Sequence, residues 1–171
     1  MKMSKLYIMM GIPGSGKSTW CEENISNKDN YVSRDRVRFG LLKAGDSYFS
    51  KENEVYKEFV NIINRKLMTN KEVYVDQTSL DSRARRKLLN SLQVKPDEVH
   101  VIWLKTPLQK SLLYNAKRKG LERVPDHSII QMYSRLERPT WSEGIKYLHI
   151  IENNKETIVD LEEEANKEWT L

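Results

Sequence analysis

The chain has 171 residues, 29 Lys and Arg against 24 Asp and Glu for a formal charge of +5, and 39% hydrophobic residues. That length suits one domain with its own core, and a single cysteine excludes a disulfide framework or a cysteine-based zinc cluster and fits a reducing compartment. No apolar run is long enough to cross a bilayer, Gly and Pro follow Met1–Lys5 too soon for a secretory signal, and the modest positive charge permits an anionic partner without requiring one.

Leu6–Met10 reads as a buried strand ended by Gly11 and Pro13. Directly after it, Gly11-Ile12-Pro13-Gly14-Ser15-Gly16-Lys17-Ser18 meets every position of the G-x-x-x-x-G-K-[ST] pattern. Its glycines let backbone N–H groups turn inward on phosphate oxygens, and the helix beginning near Lys17 adds the positive end of its dipole. Lys17 is the residue to bridge the β- and γ-phosphates, and Ser18 the hydroxyl to ligate Mg²⁺. A nucleoside triphosphate, ATP or GTP, is therefore expected against Gly11, Pro13, Gly14, Ser15, Gly16, Lys17, Ser18 and Thr19. Cys21, further along this helix, reads as a small apolar residue.

Tyr31–Ser33 forms a weaker second strand, followed by Arg34-Asp35-Arg36-Val37-Arg38 at a helix start. Asp35 and Arg38 are three apart and share a face. Together they offer a carboxylate to take a hydroxyl proton and a cation for an acceptor phosphate, or simply a local ion pair. Tyr48 and Phe49 come next; they can stack on a terminal base, although packing as a staple against the following helix is the preferred reading. That helix, Lys51–Asn70, carries Val55, Phe59, Ile62, Ile63 and Leu67 along one stripe.

A third strand, Glu72–Val75, leads into Asp76-Gln77-Thr78. No Glu follows Asp76, which argues against a water-activating motor or switch. Asp76 is a candidate to hold Mg²⁺ through water, and Thr78 to bond an acceptor phosphate. Asp81 caps a helix over Ser82–Leu92, whose run Arg83, Arg85, Arg86 and Lys87 is mostly a solvated face. Arg85 is the exception expected at the acceptor, because it flanks the apolar Ala84/Leu88/Leu89 edge.

Val99–Leu104 is the fourth strand and Tyr147–Ile151 the fifth, with helices over Pro107–Arg118 and Asp126–Arg138 between them. Asn115–Pro125 reads as a basic segment between two helices, either a lid whose arginine closes on a triphosphate or, as the preferred reading, simple surface. Trp141 borders the base or anchors the surface, His100, His127 and His149 show no metal-site spacing, and Glu162–Glu164 marks a solvated terminal helix. The alternation implies an α/β fold: a three-layer P-loop architecture with a parallel sheet of about five strands and a helical lid. Residues 1–171 read as one domain whose crevice lies beyond the carboxyl ends of the strands.

In order and spacing, these segments resemble the polynucleotide 5′-hydroxyl kinase family. The likeness rests on Gly11–Trp20, Arg34-Asp35 with Arg38, Thr78-x-Leu80 with Arg85, Asn115-Ala116-Lys117-Arg118, Val124-Pro125 and Met132-Tyr133, across residues 5–135. The resemblance implies phosphoryl transfer to the 5′-OH end of DNA or RNA, with Asp35 as general base. It places Arg38 and Thr78 on the acceptor phosphate and Arg118 on the donor, and implies a cytoplasmic location in a bacterial or phage-infected cell. Ser79 stands where the family usually has Asn, the lid register leaves Arg123 as an alternative to Arg118, and no Asp-x-Asp phosphatase motif follows. A small-molecule acceptor and a non-kinase NTP switch are the competing readings.

Overall fold

A computed structural model describes residues 3–169. β1 (Lys5–Met10) sits near the middle of a six-stranded sheet in the order β2-β3-β1-β4-β5-β6. β2 (Tyr31–Ser33), β3 (Glu72–Asp76), β4 (Glu98–Leu104) and β5 (Tyr147–Glu152) extend it in parallel. The chain passes to one side of β1 for β2 and β3 and to the other for β4 and β5, so a crevice opens at the end of β1.

The sixth strand departs from the expected number. β6 (Lys155–Asp160) returns antiparallel on β5 through Asn153 and Asn154, at φ 52° and 62°. Two consecutive left-handed residues suit the tight turn of a hairpin, and Asn is among the side chains that tolerate that region. The strand is largely exposed and weakly apolar, so the sequence carries little periodic signal for it.

Alternation along the strands divides the core between two faces. Leu6, Ile8, Val73, Val75, Val99, Val101 and Leu148 pack against Phe59 and Ile63 of α3 (Glu52–Thr69) and Leu88 of α4 (Ser82–Ser91). On the other face, Met9, Ile102 and Leu104 pack against Cys21 and Ile25, at the end of α1 (Lys17–Asn24). Beyond the cover of α1, Tyr7 stacks on Tyr74 at 4.5 Å between ring centres. His100 and His149 continue that row.

α2 (Arg34–Leu41) begins directly after β2 with Ser33 as cap. α5 (Leu108–Ala116) and α6 (Asp126–Ser134) frame the lid, sharing a small core of Ile12, Leu80 and Ile129. Asn115 closes the base of that lid, its buried amide giving and receiving bonds with the Val124 backbone at 2.6 and 3.0 Å. α7 (Leu161–Trp169) carries the acidic triplet in its first turn. Among the described residues, no helix is long and apolar enough to cross a membrane.

Candidate active site

The phosphate loop leaves β1 at Gly11 and enters α1 through Gly16, whose φ of 100° is left-handed. Gly14 is where a side chain cannot fit: at φ 83°, an added Cβ would lie 2.3 Å from the Ser111 carbonyl oxygen of α5. The loop is thereby packed directly on the helix that leads to the lid. Thr106 fastens it from the other side, donating to Ser15 O at 2.8 Å.

Lys17 Nζ donates to Gly11 O and Ile12 O at 2.7 and 3.1 Å, which holds the ammonium beside the loop. Burial pulls its pKa below the ordinary lysine value, with Asp76 opposing and Arg118 reinforcing the shift. Ser18 Oγ donates to Asp76 Oδ2 at 3.1 Å, and Tyr31 OH donates to the same oxygen. Burial, then Asp76, raises the Tyr31 pKa, so this phenol remains a donor. Two hard oxygens, one hydroxyl and one carboxylate, thus converge beside the loop. That chemistry suits Mg²⁺, which takes a few protein oxygens and fills its shell with phosphate and water.

Across the crevice, Asp35 projects from the first turn of α2. Arg38 Nη1 donates to Asp35 Oδ1, and Tyr48 OH donates to the same oxygen at 2.6 Å. Asp35 Oδ2 has no bond of its own among the described residues and stays open to the cleft. Burial and the Asp35 bond raise the pKa of Tyr48, which therefore donates through neutral pH.

Arg38 differs from its sequence-based assignment. Its side chain is only 5% exposed. Nε and Nη2 are spent on Glu52, with contacts of 2.7, 3.0 and 3.3 Å, and Nη1 bonds both Asp35 and Tyr48 at 2.7 Å for the latter. A guanidinium has five N–H donors, and here all are occupied. Arg38 braces Asp35 instead of presenting a spare donor to an acceptor phosphate. Glu52 also accepts from Arg34 Nη2 at 2.6 Å, while Arg34 Nη1 bonds Gln77 at 3.0 Å.

Arg85 is corrected outright. It is fully buried and pairs with Glu143, Nε to Oε1 at 2.7 Å and Nη2 to Oε2 at 3.2 Å, with Nη1 on Ser79 O. The apolar edge that made it conspicuous is the edge of the core, and it does not line the cleft. Ser79, in the position where the resemblance expects Asn, holds φ 46° with a buried Oγ that lacks a partner. Trp141 is 41% exposed and is likewise absent from the cleft wall.

Most of the remaining assignments converge on one cleft of 630 Å³, although Gly11, Ser15 and Thr19 of the loop are not on its wall. Lys17, Ser18, Asp76 and Thr78 line it together with Asp35, Tyr48, Phe49 and Glu52. Arg118, Arg123 and Val124 of the lid also contribute to its wall. Neither lid arginine side chain has a hydrogen bond or ion pair among the described residues, and Arg118 is near enough to act on the Lys17 pKa.

A protein-family model described as an AAA domain matches residues 6–139. The chain belongs to the AAA domain family. L-seryl-tRNA(Sec) kinase of Methanococcus maripaludis is 31% identical to it over 147 residues, 83% of this chain and 54% of that protein. Among solved structures, a chain of the Pnkp1/Rnl/Hen1 RNA repair complex matches with TM-score 0.65 at 22% identity, over 80% of this chain and 45% of that one. A sugar kinase from Janibacter sp. HTCC2649 matches with TM-score 0.59 at 15% identity, covering 98% and 93%. The chain thus spans about half the length of the tRNA kinase and of the RNA repair chain, and most of the sugar kinase. These likenesses establish a P-loop kinase fold for this AAA domain.

Sequence reasoning missed three residues of the AAA domain's cleft. Glu52 lies 14 residues from Arg38 and 18 from Arg34, so no local spacing announces the pairing. Tyr31 reads as an ordinary strand aromatic and Tyr48 as a staple or stacking ring until the fold brings their hydroxyls to Asp76 and Asp35.

Proposed function

We propose that this AAA domain transfers the γ-phosphoryl group of ATP or GTP to the 5′-hydroxyl end of DNA or RNA. The observation that carries the reading is Asp35, braced on one carboxylate oxygen and open on the other, across one cleft from the phosphate loop. An acceptor hydroxyl would donate its proton to Asp35 Oδ2 as its oxygen attacks the γ-phosphorus. The bond to the bridging oxygen breaks, and the nucleoside diphosphate leaves. Lys17 and the loop N–H groups hold the donor, and Arg118, with Arg123 beside it, neutralises charge on the transferring group. Ser18 and Asp76 would hold Mg²⁺, which supplies further neutralisation when bound.

The nucleic-acid acceptor rests on the ordered motif set and draws support from the seryl-tRNA kinase and the RNA repair chain among the similar proteins. A second reading, a small uncharged acceptor, is favoured by the occupation of Arg38, which leaves none of its own donors for an acceptor phosphate. Labelled γ-phosphate transfer separates the two. A 5′-OH oligonucleotide is expected to take label while its 5′-phosphorylated twin does not. Label entering a pool of small metabolites, with neither oligonucleotide labelled, would select the second reading.

A further inference from the structure

The acceptor half of the cleft has an unusual charge balance. Arg34 and Arg38 both lie on Glu52, and Arg38 also lies on Asp35, so two cations meet two carboxylates there. Recognition of the group that carries the hydroxyl therefore falls to the surfaces that remain open. Among the large hydrophobic side chains that line the cleft, Phe49 is the most exposed, at 65%. It meets Tyr48 edge-on, with centroids 4.6 Å apart and planes at 84°. Tyr48 is in turn the residue that bonds Asp35. Phe49 also lies 5.9 Å from the Arg38 guanidinium carbon. A staple against α3 would bury this ring; here it stays 65% exposed on the cleft wall, one residue from the tyrosine that bonds Asp35.

An exposed aromatic costs free energy unless something covers it. A planar group stacked on it gains contact area and dispersion without requiring a charge partner. Resting on the polynucleotide reading above, we infer that Phe49 is the stacking platform for the terminal base of the acceptor, the base on the same sugar as the reacting hydroxyl. The stack fixes the sugar, and with it the direction from which the hydroxyl approaches Asp35 Oδ2. It is tolerant of base identity, because every base offers a π-face.

The test measures KM and kcat for labelled phosphate transfer to two oligonucleotides, one with an intact terminal base and one abasic at that residue. Phe49→Ala is expected to raise KM for the intact end by about 5- to 150-fold, the range one base–aromatic stack supplies. The wild-type protein is expected to show a similar rise on the abasic end. The two changes together are expected to add little to either alone, and Phe49→Trp to keep the low KM. Equal wild-type KM on the two ends, or a Phe49→Ala effect that persists undiminished on the abasic end, overturns the stack while leaving the kinase reading in place. Failure of the wild-type protein to label either oligonucleotide overturns the polynucleotide reading and the stack with it.

Discussion

At the scale of single residues, the proposed reaction separates a group that would react from groups that hold it. Asp35 would take the acceptor proton on Oδ2, whereas Arg38 and Tyr48 are committed to Oδ1. Asp35→Asn keeps the shape and removes the proton acceptor. It is expected to lower kcat by about 10²–10⁴-fold while nucleotide binding, followed by calorimetry, is retained. Glu52 touches no reacting atom, yet it takes three of the contacts that fix Arg38. Glu52→Gln loosens that brace, and a loss of kcat of about 10–10²-fold is expected, the scale of a small misplacement of a catalytic group. Because Glu52 lies on the acceptor side, the nucleotide Kd should not move, and Glu52→Asp should recover part of the rate. An equal loss in nucleotide affinity would mark a general structural defect instead.

At the scale of elements, two side-chain clusters tie the scaffold together. Arg85 and Glu143, both wholly buried, join α4 to the turn before β5, and Glu143 also accepts from Thr140 N at 2.9 Å. Removing one partner of such a pair leaves an uncompensated charge in the interior. Glu143→Gln is expected to cost about 3–5 kcal/mol in urea unfolding, and replacement of both partners by apolar residues to recover most of it. The second cluster crosses three strands: Glu98 to His100 at 3.2 Å, His100 to His149 at 3.0 Å, and His149 to Glu156 at 2.8 Å. Burial keeps the His100 pKa below the ordinary 6.5, against the pull of Glu98, with His149 and Lys5 reinforcing the depression. As pH falls below 6.5, the unfolded chain takes up a proton that folded His100 refuses, so acid lowers stability until the folded pKa is reached. His100→Phe preserves a ring beside Tyr7 and removes that proton. Between about pH 7.5 and about pH 5, the variant should lose less stability than the wild-type protein.

At the scale of the whole molecule, a charge of +5 does not become a basic groove. Five cations and four carboxylates line the cleft, and among the described residues Lys17, Arg118 and Arg123 are the lining cations without an ion-pair partner. The phosphate loop packs through Gly14 on Ser111 of α5, the helix that leads into the segment carrying Arg118 and Arg123. Under the polynucleotide reading, salt should therefore act weakly at the acceptor end. Log KM for a single-stranded 5′-OH oligonucleotide is expected to rise with log salt at a slope of about 1, near 0.7 per phosphate engaged. A slope of several units would mean a long phosphate track outside the cleft.

Much of this was legible along the chain, because the signals were local. The phosphate loop is a contiguous string whose glycines and Lys17 act within a single turn, and the parallel strands are short apolar runs between helical stripes. Asp35 stood out because a carboxylate and a cation three apart share a helix face. Pairing across the fold was not legible. Arg85 looked available beside an apolar edge, and only the approach of Glu143, 58 residues away, turned it into an interior tether. Arg38 looked ready for a phosphate until Glu52 and Tyr48 filled its donors. β6 escaped notice because an exposed edge strand needs little hydrophobic periodicity. The sequence by itself determined the phosphate chemistry and the order of the sheet's parallel strands along the chain. The tertiary structure decided which cations remain available to a ligand, because an ion pair depends on distance in space, which spacing along the chain does not specify.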